Sequence, residues 1–303
     1  MTGTAARRDL YGSLRGQVSN QALREAMLAA HGMKVARLCI PEDQVGRTAE
    51  TLENAGLWVD LHDMKHVVSS DSGKGGWVSG YGVEVPIEFP GTGYLLLYAG
   101  DDPAEVLAAK KAEHSNSHAR FGSLLGYPEC CTRFYDENLA IAEEAQGDFF
   151  LQLLDASVPP GAEGPCVFPA WTNVAPQYFG YGLISFYPCS FFCERAKTVA
   201  IRSHQVLSGY DPGLADEFLR YARAPVLYTE YEGIYLFHDA KLAGNTMIYD
   251  PGKVESTLDG VLASVVRSCD RARVLGCHSV VLKEGDREAA YLSSPSMGLV
   301  FFE

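Results

Sequence analysis

Two short motifs carry the residues best suited to chemistry. In the first, Cys130 and Cys131 are adjacent and follow a Gly-Tyr-Pro turn. In the second, Cys189 and Cys193 stand four positions apart in the run Pro-Cys-Ser-Phe-Phe-Cys. Half of the chain's eight cysteines lie in these two motifs. Because a thiolate is both a ligand for soft metals and a nucleophile, the motifs predict a thiol-centred site.

Each motif has a proline where a helix would begin. Proline is favoured at the first helical position, so Pro128 predicts a helix that contains the adjacent cysteines in its first turn and runs to about Glu144. Pro188 predicts a second helix to about Leu207, with its two cysteines one turn apart. The start of a helix carries partial positive charge and unpaired N–H groups, which favour the thiolate form.

Four thiolates are the usual ligand set of an iron–sulfur cluster. We therefore expect a cluster, in its [4Fe–4S] form, held by Cys130, Cys131, Cys189 and Cys193. Two adjacent cysteines do not easily chelate one small ion, whereas the cube offers separated corners. Zinc remains the alternative, since structural zinc sites also use cysteines, although usually in two pairs with two to four intervening residues.

Three further residues are candidates for a catalytic role, namely His118, Glu129 and Glu194. His118 is also a candidate metal ligand, because it follows His114 by four positions and would share a helical face with it. If only three cysteines bind the cluster, one iron stays open to substrate and can act as a Lewis acid. One of the three candidates would then take the remaining position or act on the substrate.

Several functions fit these motifs. The first is a metalloenzyme, a cluster-dependent lyase, transferase or redox enzyme, that acts on a small molecule or in electron transfer. The others are a structural zinc protein, a metal-free enzyme with vicinal thiols as nucleophile or redox pair, and a non-catalytic binding subunit. The chain has no dinucleotide fingerprint after a strand, and the glycine-rich loop predicted at 69–82 lacks the Walker pattern.

The elements that must position these cysteines predict an α+β fold. Apolar runs and alternation predict small mixed sheets in the N-terminal and C-terminal parts. Between them lies a helical middle that carries the cysteines. We therefore expect an N-terminal α+β region at 1–100, a helical cysteine-motif region at 101–210 and a C-terminal α+β region at 211–303, or one continuous globular unit formed by all three.

Composition limits the kinds of partner that we expect for this protein. The 303-residue chain is 47% hydrophobic and 21% charged, with a formal net charge of −13. The sequence has no cluster of Lys and Arg of the kind that would suggest nucleic-acid binding. It also has no apolar run long enough to span a membrane. The N-terminus lacks the apolar segment of a signal peptide, so we expect a cytoplasmic protein in which eight cysteines do not form a disulfide framework. The expected partner is a small-molecule substrate, and nothing in the sequence specifies an oligomeric state.

The two motifs resemble those of a family of uncharacterised bacterial and archaeal proteins, the DUF483-like type. Its members carry Leu-Gly-Tyr-Pro-x-Cys-Cys followed by Pro-Cys-Ser-x-x-Cys, and the resemblance covers about the middle third of the chain. By position it maps the four motif cysteines onto the family's cysteines. It also places His118 just upstream, where such proteins tend to carry histidine, and Asn173 where an asparagine often precedes the second motif. Tyr187 departs from the histidine or phenylalanine expected before the proline. The resemblance implies no particular activity.

Overall fold

The computed structural model describes residues 4–67, 83–144, 148–159 and 162–303. The glycine-rich loop predicted at 69–82 lies outside the described residues. Contacts along the chain divide it into two compact units. The described residues of the first unit are 4–67, 83–137 and 201–215, and those of the second are 138–144, 148–159, 162–200 and 216–303.

The described residues form ten α-helices: α1 (Thr4–Leu14), α2 (Asn20–Ala30), α3 (Val45–Asn54), α4 (Pro103–His114), α5 (His118–Leu124), α6 (Glu129–Glu144), α7 (Phe150–Ser157), α8 (Glu194–Ser208), α9 (Pro212–Ala222) and α10 (Val261–Ser268). They also form fourteen strands: β1 (Ala36–Pro41), β2 (Trp58–Val67), β3 (Val83–Pro86), β4 (Tyr94–Gly100), β5 (Cys166–Phe168), β6 (Val226–Thr229), β7 (Ile234–Phe237), β8 (Lys241–Ala243), β9 (Thr246–Ile248), β10 (Val254–Ser256), β11 (Arg271–Gly276), β12 (Ser279–Glu284), β13 (Arg287–Ser293) and β14 (Met297–Phe302). The predicted α+β class, with small sheets on either side of a helical middle, is confirmed.

The first unit is built on a four-stranded antiparallel sheet in the order β1-β4-β2-β3. Its central strand β4 is the apolar run whose residues after Tyr94 are all buried. Helix α2 packs on β1, and α4 packs on β2 and β4. A cluster that includes Val35, Tyr98, Val106 and Leu125 fills the space between sheet and helices. This core holds the end of α5, from which the first cysteine motif follows.

The second unit contains two five-stranded sheets, in the orders β10-β7-β6-β14-β5 and β13-β12-β11-β9-β8. Every pairing in them is antiparallel except that of β5 with β14. Side chains from both sheets share one apolar cluster with α10, and Phe237, Val274 and Leu299 are among its buried members. Shared burial of this kind stabilises two sheets that each bury one face.

The C-terminal helix is shorter than its sequence pattern predicts. Apolar spacing predicts a helix from Ser256 to Leu275, whereas α10 has only eight residues. Ser256 ends β10, and Leu275 belongs to β11, which pairs with both β9 and β12. The ladder hydrogen bonds and the apolar cluster therefore override the local helical periodicity.

One pair of cysteines is bonded, although the sequence predicts no disulfide framework. The structure joins Cys166 to Cys277 by a disulfide bond, with the two Cα atoms 5.8 Å apart. Cys166 begins β5, Cys277 lies in the turn between β11 and β12, and both side chains are buried. The two residues are 111 positions apart, so sequence alone offered no sign of their pairing.

Candidate metal centre

A tight turn between α5 and α6 positions the first motif. Gly126 has a φ of 69°, in the left-handed region that favours glycine. The Tyr127 N–H donates to the Gly122 carbonyl at 2.8 Å, as in a Schellman motif that ends a helix. The Pro128 carbonyl then accepts from the N–H groups of Cys131 and Thr132, at 2.9 and 3.0 Å. Helix α6 thus begins directly after the proline, as predicted.

Cys130 and Cys131 both lie in the first turn of α6, and their Sγ atoms are 3.9 Å apart. Cys131 is buried and Cys130 is half-buried. Close packing of α5 fixes this turn, since a Cβ on Gly122 would lie only 2.7 Å from Thr132 Oγ1. The sulfur atoms of the two adjacent cysteines therefore lie side by side.

The second motif is a turn and not a helix, which corrects the prediction of a helix from Pro188. Ser190 Oγ accepts from the Phe192 N–H at 3.1 Å, and the Ser190 carbonyl accepts from the Cys193 N–H at 3.0 Å. The Cys193 carbonyl receives the first helical hydrogen bond of α8, from the Lys197 N–H. Cys193 therefore stands at the cap of α8. Cys189 precedes that helix, just before the turn that the Ser190 side chain stabilises.

The four motif cysteines form one compact group. The Sγ atoms of Cys130, Cys131, Cys189 and Cys193 all lie within 4.8 Å of one another. Cys131 and Cys193 are buried, while the other two are half-buried. In the part of the chain that the structure describes, this is the one group of His, Cys, Asp and Glu with the spacing of a metal site. Four soft sulfur donors suit zinc or iron.

The two histidines proposed as a pair do not share a helix. His114 is the last residue of α4 and His118 the first of α5, and Asn116 between them has a φ of 50°. His114 instead stacks on His62, with ring centroids 4.5 Å apart. The ring of His118 lies 5.1 Å from that of Tyr135. His118 is not a member of the group of four cysteines.

The two glutamates proposed for catalysis begin the helices next to the cysteines. Glu129 pairs with Arg133 at 3.2 Å, and Glu194 pairs with Lys197 at 3.2 Å. Both glutamate side chains are about four-fifths exposed, at 80% and 78%. Neither belongs to the group of cysteines. Exposed pairs along a helix contribute little stability, and acidic side chains suit the positive start of a helix.

Sequence analysis did not identify a buried carboxylate, Asp148, that is hydrogen-bonded to tyrosines preceding the second motif. Asp148 accepts a hydrogen bond from the Tyr178 hydroxyl at 2.6 Å and from the Phe150 N–H at 2.9 Å. The hydroxyl of Tyr187, two residues before Cys189, lies 2.8 Å from that of Tyr178. Burial raises the pKa of Asp148 and, together with the Asp148 charge, the pKa of both phenols. In the sequence, the only sign of this network was the aromatic stretch from Tyr178 to Tyr187.

Asn173, singled out by the family resemblance, has a structural role. Its side-chain amide donates to the Ala222 carbonyl at 2.9 Å, and its side-chain oxygen accepts from the Ala175 N–H at 3.0 Å. The residue is buried, so these bonds satisfy its polar atoms. They fix the short helical turn Ala175–Phe179 that carries Tyr178.

No family model, curated protein or solved structure matches this chain. The resemblance to the DUF483-like family therefore stays a prediction from the two motifs. No helix among the described residues has the length and apolar character that crossing a bilayer requires. The case for function thus rests on the geometry and chemistry of the four cysteines.

Proposed function

We propose that Cys130, Cys131, Cys189 and Cys193 bind one metal ion as four thiolates, and that this ion is zinc. The observation that carries the proposal is the compactness of the group, with every Sγ within 4.8 Å of the others. Zinc–sulfur bonds of about 2.3 Å in a tetrahedron place the sulfurs about 3.8 Å apart. The separation of 3.9 Å between the Cys130 and Cys131 sulfurs matches that edge.

The same distances favour a single ion over the cluster predicted from sequence. In a [4Fe–4S] cube each cysteine binds a different iron, so the sulfurs stand farther apart than around one ion. A tetrahedral ion bound by four cysteines has no open position for a substrate. The proposed role is therefore structural: the ion holds the two cysteine motifs together, and catalysis at the metal is not part of the proposal.

An iron–sulfur cluster, acting on a small molecule or in electron transfer, is the second candidate. The donor set supports it, because four cysteines without a histidine are the usual ligands of such clusters. Cys130 and Cys131 lie in the first turn of α6, and the partial positive charge at a helix start favours the thiolate form that binds iron.

Metal analysis of anaerobically purified protein distinguishes the two candidates. We expect colourless wild-type protein with one zinc ion per chain. Cys130→Ala and Cys193→Ala should each lose most of the zinc, since three thiolates hold the ion less tightly than four. Cys39→Ala, a cysteine in β1 outside the group, is the matched control and should keep it.

Two outcomes would contradict the zinc proposal. Brown protein that contains iron and acid-labile sulfide would show that the site holds the cluster and not zinc. Unchanged metal content in both Cys130→Ala and Cys193→Ala would remove these cysteines from any metal site.

A further inference from the structure

The backbone of the second motif is held by two buried hydroxyl groups. The Phe191 N–H donates to Ser157 Oγ at 2.8 Å, and Thr172 Oγ1 donates to the Phe191 carbonyl at 2.5 Å. Thr172 is 0% exposed and Ser157 7%. Both polar groups of one peptide segment, midway between Cys189 and Cys193, are thus satisfied by side chains from outside the motif.

The two anchors belong to elements that are themselves fixed. Ser157 is the last residue of α7, and its hydroxyl donates to the Leu153 carbonyl one turn earlier, at 2.6 Å. Thr172 ends a short helical turn that follows β5, and its hydroxyl also lies 3.0 Å from the Pro169 carbonyl. Each anchor hydroxyl thus also lies within hydrogen-bond distance of a carbonyl in or next to its own element.

Packing of the Phe191 ring adds to these hydrogen bonds. The ring is fully buried, and its centroid lies 4.7 Å from that of Phe168, 5.3 Å from Phe302 and 5.9 Å from Phe150. Withdrawing the residue would expose this aromatic surface and leave two buried polar groups to be satisfied elsewhere. These contacts involve no cysteine sulfur.

We infer that Ser157 and Thr172 are positioning residues that hold the 189–193 turn in its metal-binding conformation before any ion arrives. This inference rests on the proposed function, and it adds that the site is preformed in the metal-free protein. Many structural zinc sites fold only with their metal. A preformed site pays less ordering entropy on binding, so loss of an anchor should weaken metal affinity.

Cobalt binding tests the anchor at Thr172. Metal-free protein is titrated with Co²⁺ and followed by the thiolate-to-cobalt absorption. Thr172→Val keeps the shape but removes the hydroxyl, whereas Thr172→Ser keeps the hydroxyl. We expect Thr172→Val to bind about tenfold more weakly, which is the effect of losing one buried hydrogen bond. Thr172→Ser should bind like wild type. Equal affinities for the two variants would overturn the inference.

Amide hydrogen exchange of the metal-free protein provides a readout that is independent of metal. The Phe191 and Cys193 amides should exchange slowly in wild type, and faster in Thr172→Val and in Ser157→Ala. A cooperative thermal unfolding transition in each variant would confirm that it folds. Fast exchange of these amides in wild type would overturn the preformed turn. Slow exchange in a wild type that binds no Co²⁺ would instead reject the proposed metal site and leave the two anchors in place.

Discussion

The ionisation of Asp148 depends on the fold. Its carboxyl is buried, and this burial raises its pKa above the ordinary 3.8 despite hydrogen bonds from Tyr178 and the Phe150 amide. Between the ordinary pKa and the raised one, the folded protein binds more protons than the unfolded chain does. The free energy of unfolding contributed by Asp148 is therefore highest at low pH and falls as pH rises through the raised pKa.

Asp148→Asn should remove this pH dependence. The amide keeps the size of the carboxyl and an acceptor oxygen but does not ionise in this range. We expect the difference in unfolding free energy, wild type minus variant, to fall as pH rises from about 4 to about 8. Urea unfolding at several pH values measures it. Asp136→Asn, at an exposed carboxyl on α6, is the control for replacing a carboxyl by an amide. A flat difference for Asp148→Asn would contradict the predicted shift.

At the scale of elements, the α5–α6 turn depends on one glycine. Gly126→Ala would force a side chain into a left-handed conformation and bring its Cβ to 3.3 Å from the Lys34 Cβ. We expect a loss of about 1–2 kcal/mol in the free energy of unfolding. Because this turn leads into the first cysteine pair, Co²⁺ binding should weaken as well.

Gly12→Ala is the matched control for this change. Gly12 lies within α1, and a Cβ there would meet nothing within 4 Å. Alanine is the better helix former by about 1 kcal/mol, so this variant should be neutral or slightly more stable. Chemical unfolding of both variants decides the matter, and equal stability of the two would show that the turn does not require glycine.

The two cysteine motifs illustrate which elements could be predicted from sequence. Pro128 and Gly126 are local signals, and they were sufficient to place the adjacent cysteines in the first turn of α6. Pro188 gave the same signal, but no helix begins there, because Ser190, Ser157 and Thr172 satisfy the backbone of the following residues instead. Two of those three residues are distant in sequence. The preference of proline for a helix start is weaker than such tertiary hydrogen bonds.

At the scale of the whole chain, the α+β class followed from the apolar pattern, since runs such as Tyr94–Gly100 are typical of buried strands. The grouping of Cys130, Cys131, Cys189 and Cys193 also followed from sequence, because the motifs share one chemistry. The distances between the sulfur atoms, which favour one ion, could not be predicted from sequence. They depend on how the chain folds between the motifs, and no spacing rule covers adjacent cysteines.

The disulfide between Cys166 and Cys277 provides a prediction at this same scale. It closes a loop of 111 positions between β5 and the β11–β12 turn. Because a cross-link restricts the unfolded chain, its reduction should lower the free energy of unfolding by about 2–4 kcal/mol. Denaturant unfolding with and without a phosphine reductant, in excess zinc, measures the loss. The double variant Cys166→Ser/Cys277→Ser should match the reduced wild type and not respond to the reductant. A wild type whose stability is unchanged by reduction, or whose Cys166 and Cys277 both react with a thiol reagent when unfolded without reductant, would contradict the bond.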